Sequence, residues 1–354
     1  MLRVAREAKM GRNLKTSTKI VITAFAAMMT AAAALPAIAQ DKPLTKVIFS
    51  LDFIPLGRHA PWYAAIAEGF YKAEGLDVTI IPGQGGAESI QAVASGTANL
   101  GFMAPPELTL ARANGVKVKM VAVNYQKAPI AVFSLNPGAN VTTAKQLEGL
   151  TLGSGSGSFT PKILAGFMAQ QGLDPNTLHV VNIAPPARAS ALLTGKVPSI
   201  EFFVMSQPGL QAGAKEAHAE LQTFLPGDHG LDIYSNGIGV GEDYLEKNPD
   251  VVKRFVRASL KGLKFTLDHP DQAAADEIKM LPSLKPDVVK AEIEIVRHLV
   301  VTPDVEKHGL GWFDPARIKS NVDFVVKYIG VNGAPPAATD LYAQGYLPDP
   351  PIMP

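Results

Sequence analysis

From Lys46 onward, short β-branched runs alternate with longer stretches of helical period, the pattern of an α/β fold with largely parallel, doubly wound sheets. Val47 to Phe53 reads as a strand, Pro61 to Ala73 as a helix and Asp77 to Ile81 as a second strand. A helix from Glu88 to Ala94, a strand from Leu100 to Met103, a helix from Glu107 to Ala113 and a strand from Lys119 to Asn124 follow. Downstream, strands are expected at 150–153, 178–183 and 199–204, with helices near 161–171 and 187–193. Past Leu231 the chain crosses Tyr234 to Gly237 and reads as helical onward, Pro249 to Asp268 being the longest amphipathic run. Pro249, Pro270, Pro286 and Pro315 each stand where a helix opens, since the first-turn N–H has no intrahelical partner to lose. With no strands of their own to cover, these helices are expected to pack back onto the first half.

The pattern also repeats itself. Gly75-Leu76-Asp77, Ser95-Gly96 and Leu100-Gly101-Phe102 are echoed by Gly172-Leu173-Asp174, Thr194-Gly195 and Ile200-Glu201-Phe202. Two similar βαβ units, roughly a hundred residues apart, predict two lobes of like construction. The expected layout is a first lobe over 44–135, a second over 138–232, a return to the first over 236–332 and an extended tail, rich in Pro and Ala, over 333–354. Crossings near Leu135 to Gly138 and Asp232 to Asn236 then form a two-strand hinge.

Charge and composition narrow the function. The 354 residues carry a net charge of +1, with no long basic run outside the N-terminus, so nucleic acid is not an expected partner. Cysteine is absent, which excludes disulfides, thiolate metal sites and cysteine nucleophiles. Arg3, Arg6, Lys9, Arg12, Lys15 and Lys19 precede an uncharged stretch from Ile20 to Ala34, and Ala37-Ile38-Ala39 follows Pro36. That is the plan of a cleaved secretory leader over 1–39, read from Met1 or from Met10, and without a cysteine no lipid anchor is available. The seven histidines show no pair at helical metal-ligand spacing, and neither a nucleophile elbow nor a phosphate loop occurs, so no metal, no cofactor and no catalytic residue is assigned.

In open α/β sheets ligands bind beyond the carboxyl ends of the strands, and this rule nominates the loops. After the first strand come Asp52, Phe53, Arg58, His59 and Trp62, the last as a stacking face. After the second come Gln84 and Gly85, after the third Met103 and Glu107, and just past the fourth Tyr125. In the second lobe, Ser154, Ser156, Ser158 and Thr160 precede a helix opened by Pro161, a turn whose hydroxyls and free N–H groups suit an anionic or polar group. Met205 and Gln207, after the Phe202-Phe203-Val204 strand, and Asn236, at the return crossing, complete the candidates.

Glu68-Gly69-Phe70-Tyr71-Lys72-Ala73-Glu74-Gly75-Leu76-Asp77-Val78, with Ser95 to Phe102, resembles the periplasmic binding proteins of the nitrate/sulfonate/taurine group. Asp52 to His59 is similar to the relatives that bind thiamine pyrimidine precursors. Pro55 and His59 match their opening motif, whereas Phe53 replaces Trp and Leu56 replaces Asn. The resemblance covers about Lys46 to Tyr328 and implies a two-lobed, type II-like periplasmic-binding-protein fold. It further implies a monomeric, periplasmic solute-binding component of an ABC importer, partnered by a membrane permease and an ATPase. Its solute is expected to be a small aromatic, heterocyclic or anionic organic molecule. The fungal enzyme that builds the same pyrimidine uses a cysteine-rich segment that this chain lacks, and a sensory receptor would use the same clamshell.

Overall fold

The computed structural model of the protein describes residues 43–354, so the leader read in the sequence lies outside the described residues. Among the described residues, ten strands form two sheets. They are β1 (Thr45–Ser50), β2 (Leu76–Ile81), β3 (Leu100–Met103), β4 (Val118–Val123), β5 (Ile130–Asn136), β6 (Thr151–Ser154), β7 (His179–Asn182), β8 (Ser199–Phe203), β9 (Glu220–Phe224) and β10 (Gly237–Gly241). The first sheet runs β2-β1-β3-β10-β4 and the second β7-β6-β8-β5-β9. The two orders are the same pattern, with β1 and β6 beside the edge strands β2 and β7. The sequence echo therefore has a structural counterpart in two lobes of one topology. Ser95-Gly96 and Thr194-Gly195 end corresponding helices, and both glycines take the left-handed conformation, φ +78° and +72°, that closes a helix C-terminus without a Cβ penalty.

The sheets are mixed rather than largely parallel. β10 is antiparallel to β3 and β4, and β5 is antiparallel to β8 and β9. Each of these is the first strand the chain makes after crossing from the other sheet. β5 thus belongs to the second sheet, so the outward crossing is 124–129, not the Leu135 to Gly138 region, and the return runs over 225–236. Hydrophobic periodicity does not mark β5, β9 and β10 as strands. In β10 the glycines of Gly-Ile-Gly-Val-Gly hide it, because glycine weakens strand propensity. Packing explains them: a Cβ on Gly237 would overlap the Ala122 carbonyl and lie 2.7 Å from Val123 Cα, and one on Gly239 would lie 2.7 Å from Met103 Cε. Gly237→Ala is expected to destabilise the protein by about 1–3 kcal/mol, read by urea unfolding.

Helices flank both sheets. In the first lobe these are α1 (Ala60–Ala67), α2 (Phe70–Ala73), α3 (Gly86–Ala94) and α4 (Pro105–Ala113), and in the second α5 (Thr160–Gln170), α6 (Pro185–Leu193) and α7 (Gln207–Glu216). The expected single helix from Pro61 to Ala73 is broken at Gly69, whose φ of +71° no helix accommodates. After β10 come α8 (Glu242–Lys247), α9 (Pro249–Asp268), α10 (Pro270–Met280), α11 (Pro286–Val300), α12 (Pro303–His308) and α13 (Pro315–Phe324). Each helix from α9 to α13 opens with proline. α9 lies close on α1, where a Cβ at Gly262 would come within 2.7 Å of Ala65 Cβ, and shares a core with Phe49, Trp62 and Tyr71.

These helices do more than cover the first lobe, which corrects the expectation. α11 packs against both the 57–59 turn and the 204–206 turn. α13 begins in the core around Phe313 and Ile318 of the first lobe, and Phe324 and Val325 end in the core around Phe167 of the second. The tail is pinned: Met120 N–H donates to Leu341 O and Ala343 N–H to Met120 O, which covers the outer edge of β4.

Candidate functional site

The carboxyl ends of β1 and β8 face each other across the gap between the sheets, and the loops there enclose a small cavity of about 40 Å³. From the first lobe, Asp52, Phe53, Leu56, Arg58, Gln84, Gly85, Gly86 and Glu107 line it. From the second come Ser158, Phe159, Thr160, Glu201, Phe202, Phe203 and Ser206. The loop after β2 and the loop after β6 touch backbone to backbone: a Cβ on Gly85 would overlap the Gly157 carbonyl, and one on Gly157 would sit 3.3 Å from Gln84 O. The lobes are closed on each other.

Two buried ion pairs stand in the walls. Arg58 Nη2 donates to Asp52 Oδ2 at 2.8 Å, and Arg188 Nη1 donates to Glu201 Oε1 at 2.7 Å and to Glu201 O at 2.9 Å. His59 Nδ1 accepts from Leu56 N–H at 3.1 Å, so its Nε2–H is free to donate to Asp52 Oδ1, also at 3.1 Å. Burial, with Arg58 adjacent, lowers His59 to about 4, so the ring is neutral at pH 7. Burial pushes Asp52 up, but Arg58 and His59 outweigh it and hold the carboxyl at about 2. Burial raises Glu201 despite Arg188 and the Ser154, Ser158 and Thr160 hydroxyls turned to it. Glu107 has no such partner. Burial, reinforced by Asp52 and Glu201, lifts it to about 8, and its Oε2 accepts no hydrogen bond.

Aromatic rings complete the walls. Arg58 lies over Phe203 with 4.9 Å to the centroid, Arg188 over Phe202 with 4.8 Å, and Phe53 meets Phe202 edge-on at 5.8 Å between centroids.

Of the candidates, Asp52, Phe53, Arg58, Gln84, Gly85, Glu107, Ser158 and Thr160 come together on the cavity. The others do not line it. Trp62 is 1% exposed and packs on Phe49 and Phe102 at 4.6 and 5.2 Å, so it is core and not a stacking face. Met103 and Met205 are likewise core. His59 and Ser154 stand behind the wall, holding Asp52 and Glu201. Tyr125 is buried and donates its O–H to Arg58 O at 3.3 Å, and the Asn236 carbonyl accepts from Asn124 and Tyr125 at the crossing. Ser156 is exposed, and Gln207 opens α7 outside the cavity. Glu201 and Arg188 are site residues that the strand-end rule does not nominate. The available signal was an acid inside the otherwise apolar run Ile200 to Phe203, where the first-lobe copy has Gly101.

Two lobes of one topology, joined by two crossings and meeting over an interlobe cavity, define the periplasmic-binding-protein fold. Solved structures with this fold include the alkanesulfonate-binding protein SsuA from Xanthomonas axonopodis pv. citri, bound to MOPS. It has a TM-score of 0.67 and 15% identity, over 86% of this chain and 100% of that one. The nitrate-binding protein NrtA from Synechocystis PCC 6803 gives 0.61 and 12%, over 80% and 81%. The chain belongs to the NMT1/THI5 like family, whose model matches residues 57–273. It is 27% identical to the riboflavin-binding protein RibY of Chloroflexus aurantiacus over 89% of this chain and 90% of the relative. It is also 27% identical to a formylaminopyrimidine-binding protein of Halalkalibacterium halodurans, over 73% and 77%. A 4-amino-5-hydroxymethyl-2-methylpyrimidine phosphate synthase of Saccharomyces cerevisiae, THI5, is 22% identical over 69% and 73%.

Proposed function

We propose that the protein is the periplasmic solute-binding component of an ABC importer, which takes a small ring-bearing organic solute between its lobes and hands it unchanged to a permease driven by an ATPase. It acts as a monomer and catalyses no reaction. The observation that carries this reading is the interlobe cavity, walled by Phe53 on one side and by Phe159, Phe202 and Phe203 on the other. Rings on both walls suit a planar solute by offset or edge stacking. The named solutes of the two binding-protein relatives, riboflavin and formylaminopyrimidine, are ring compounds. The closed cavity, about 40 Å³, is smaller than the roughly 300–1,000 Å³ of ordinary ligand pockets, so entry requires the hinge to open.

The synthase relatives favour a second reading, as an enzyme, but the chain has no cysteine, and Asp52 and Glu201 are each held in an ion pair with an arginine. Incubating the purified protein with candidate heterocycles separates the two. A solute-dependent rise in melting temperature, with the solute recovered intact, is the expected result, and recovery of an altered solute would overturn it.

A further inference from the structure

Asp52 and Glu201 are carboxylates that the protein supplies to itself, and they occupy the groups an anionic solute would need. Arg58 is turned to Asp52, Arg188 to Glu201, and His59 also donates to Asp52. In the serine-rich loop, Ser154 spends its hydroxyl in the same way, donating to Glu201 Oε1 at 2.8 Å, and Ser158 Oγ accepts from Thr160 N–H at 3.3 Å. What remains unpartnered is different in kind. Glu107 Oε2 is shielded from water with no donor, and Arg58 Nη1 and Arg188 Nη2 have no acceptor. Gly86 makes room for the Glu107 carboxyl, because a Cβ there would overlap it, with Oε1 at 2.7 Å.

We propose that Glu107 is the specificity-determining residue of this cleft: it selects an uncharged nitrogen heterocycle that offers an N–H or amino donor, and it turns away sulfonates, carboxylates and nitrate. This rests on the solute-binding reading and narrows it. An anion entering the closed site loses its hydration and meets two guanidinium groups whose charge Asp52 and Glu201 already balance. A donor on the ring satisfies the buried Glu107 oxygen, and an acceptor on the same ring takes the spare Arg58 N–H. A site built to pair a solute N–H discriminates strongly against analogues without one, because its own polar group is then left unpaired. The anion-binding structures that share the fold do so at 15% identity or less, which carries nothing about their ligands to this chain.

Calorimetric titration of the full chain with five probes tests the proposal. Riboflavin and 4-amino-5-hydroxymethyl-2-methylpyrimidine are neutral and bear donors, whereas benzoate, MOPS and nitrate each present an anionic group, MOPS as its sulfonate. One of the neutral probes is expected to bind at least ~100-fold more tightly than any anion. Glu107→Gln keeps an acceptor oxygen and should hold that affinity within about tenfold, whereas Glu107→Ala should lose about 10- to 100-fold. Gly86→Ala, which displaces the carboxyl without removing it, should weaken the same probe and so guards against a folding defect at position 107. Tighter binding of any anion, or an unchanged affinity in Glu107→Ala, overturns the role of Glu107 while solute binding stands. Silence from all five probes, with no small molecule retained in native mass spectra of the protein from cells, removes the solute-binding reading and this inference together.

Discussion

Replacing Gly85 with valine is expected to weaken solute binding by about 10- to 100-fold while leaving the melting temperature of the solute-free protein close to that of the parent. A side chain at 85 has nowhere to go in the closed form, because its Cβ would overlap the Gly157 carbonyl of the opposite lobe. Both partners are backbone, so no rotamer change relieves the clash. Opening the hinge does relieve it, since the loop after β2 and the loop after β6 then part. The substitution therefore acts on the closed state alone, and a penalty of about 1–3 kcal/mol on that state appears directly in the apparent affinity. Titration calorimetry reads the affinity, and small-angle scattering should show the variant staying extended at solute concentrations that compact the parent. Unchanged affinity would mean that these loops do not meet in the bound protein.

The second large effect is on stability against pH. Between pH 6 and pH 8.5 the protein is expected to lose on the order of 3 kcal/mol. Burial raises Glu107 to about 8 and Glu292 to about 7, and burial together with the neighbouring Glu292 lifts Glu277 well above its ordinary value. Glu292, on α11, turns its carboxyl to the 57–59 turn that carries Arg58, and neither carboxyl oxygen of Glu277 has a hydrogen-bond partner. A carboxyl raised in the folded state keeps a proton that the unfolded chain releases near 4.5, so stability falls as pH climbs from there through the folded values. His59 works in the opposite sense: lowered to about 4, it contributes stability above 6.5 that is lost as pH falls through 4. Its contribution is complete by 6.5, which leaves the descent above that pH to the carboxyls. Urea unfolding at pH 6, 7 and 8.5 measures this, and Glu292→Gln should flatten the descent. Stability that rises from pH 6.5 to 8.5 would contradict it.

The α/β alternation, the paired lobes and the proline-opened helices were legible because each rests on local periodicity or on a residue with a fixed backbone preference. The strand-end rule reached the cavity for the same reason: Asp52, Gln84, Glu107 and Ser158 follow strands that alternation marks clearly. The failures depended on contacts between distant segments. β10 looks like a loop until Met103 and Val123 are beside it, and β5 looks like the end of the first lobe until β8 and β9 pair with it. Trp62 opens a helix next to cleft residues, yet only the positions of Phe49 and Phe102 decide that it turns inward. Arg188 and Glu201 are 13 residues apart, on different elements, and their pairing across the α6–β8 junction leaves no mark in periodicity.

Movement of the lobes around a solute is the claim on which the rest stands, and the absence of native cysteine makes it directly measurable. Cysteines introduced at the exposed positions Gln91, on α3, and Lys162, on α5, allow a pair of spin labels to be placed across the cleft with no background reaction. Adding the heterocycle that raises the melting temperature should shorten and narrow the label-to-label distance distribution measured by double electron–electron resonance. A distribution that does not change at saturating solute would contradict closure around a ligand.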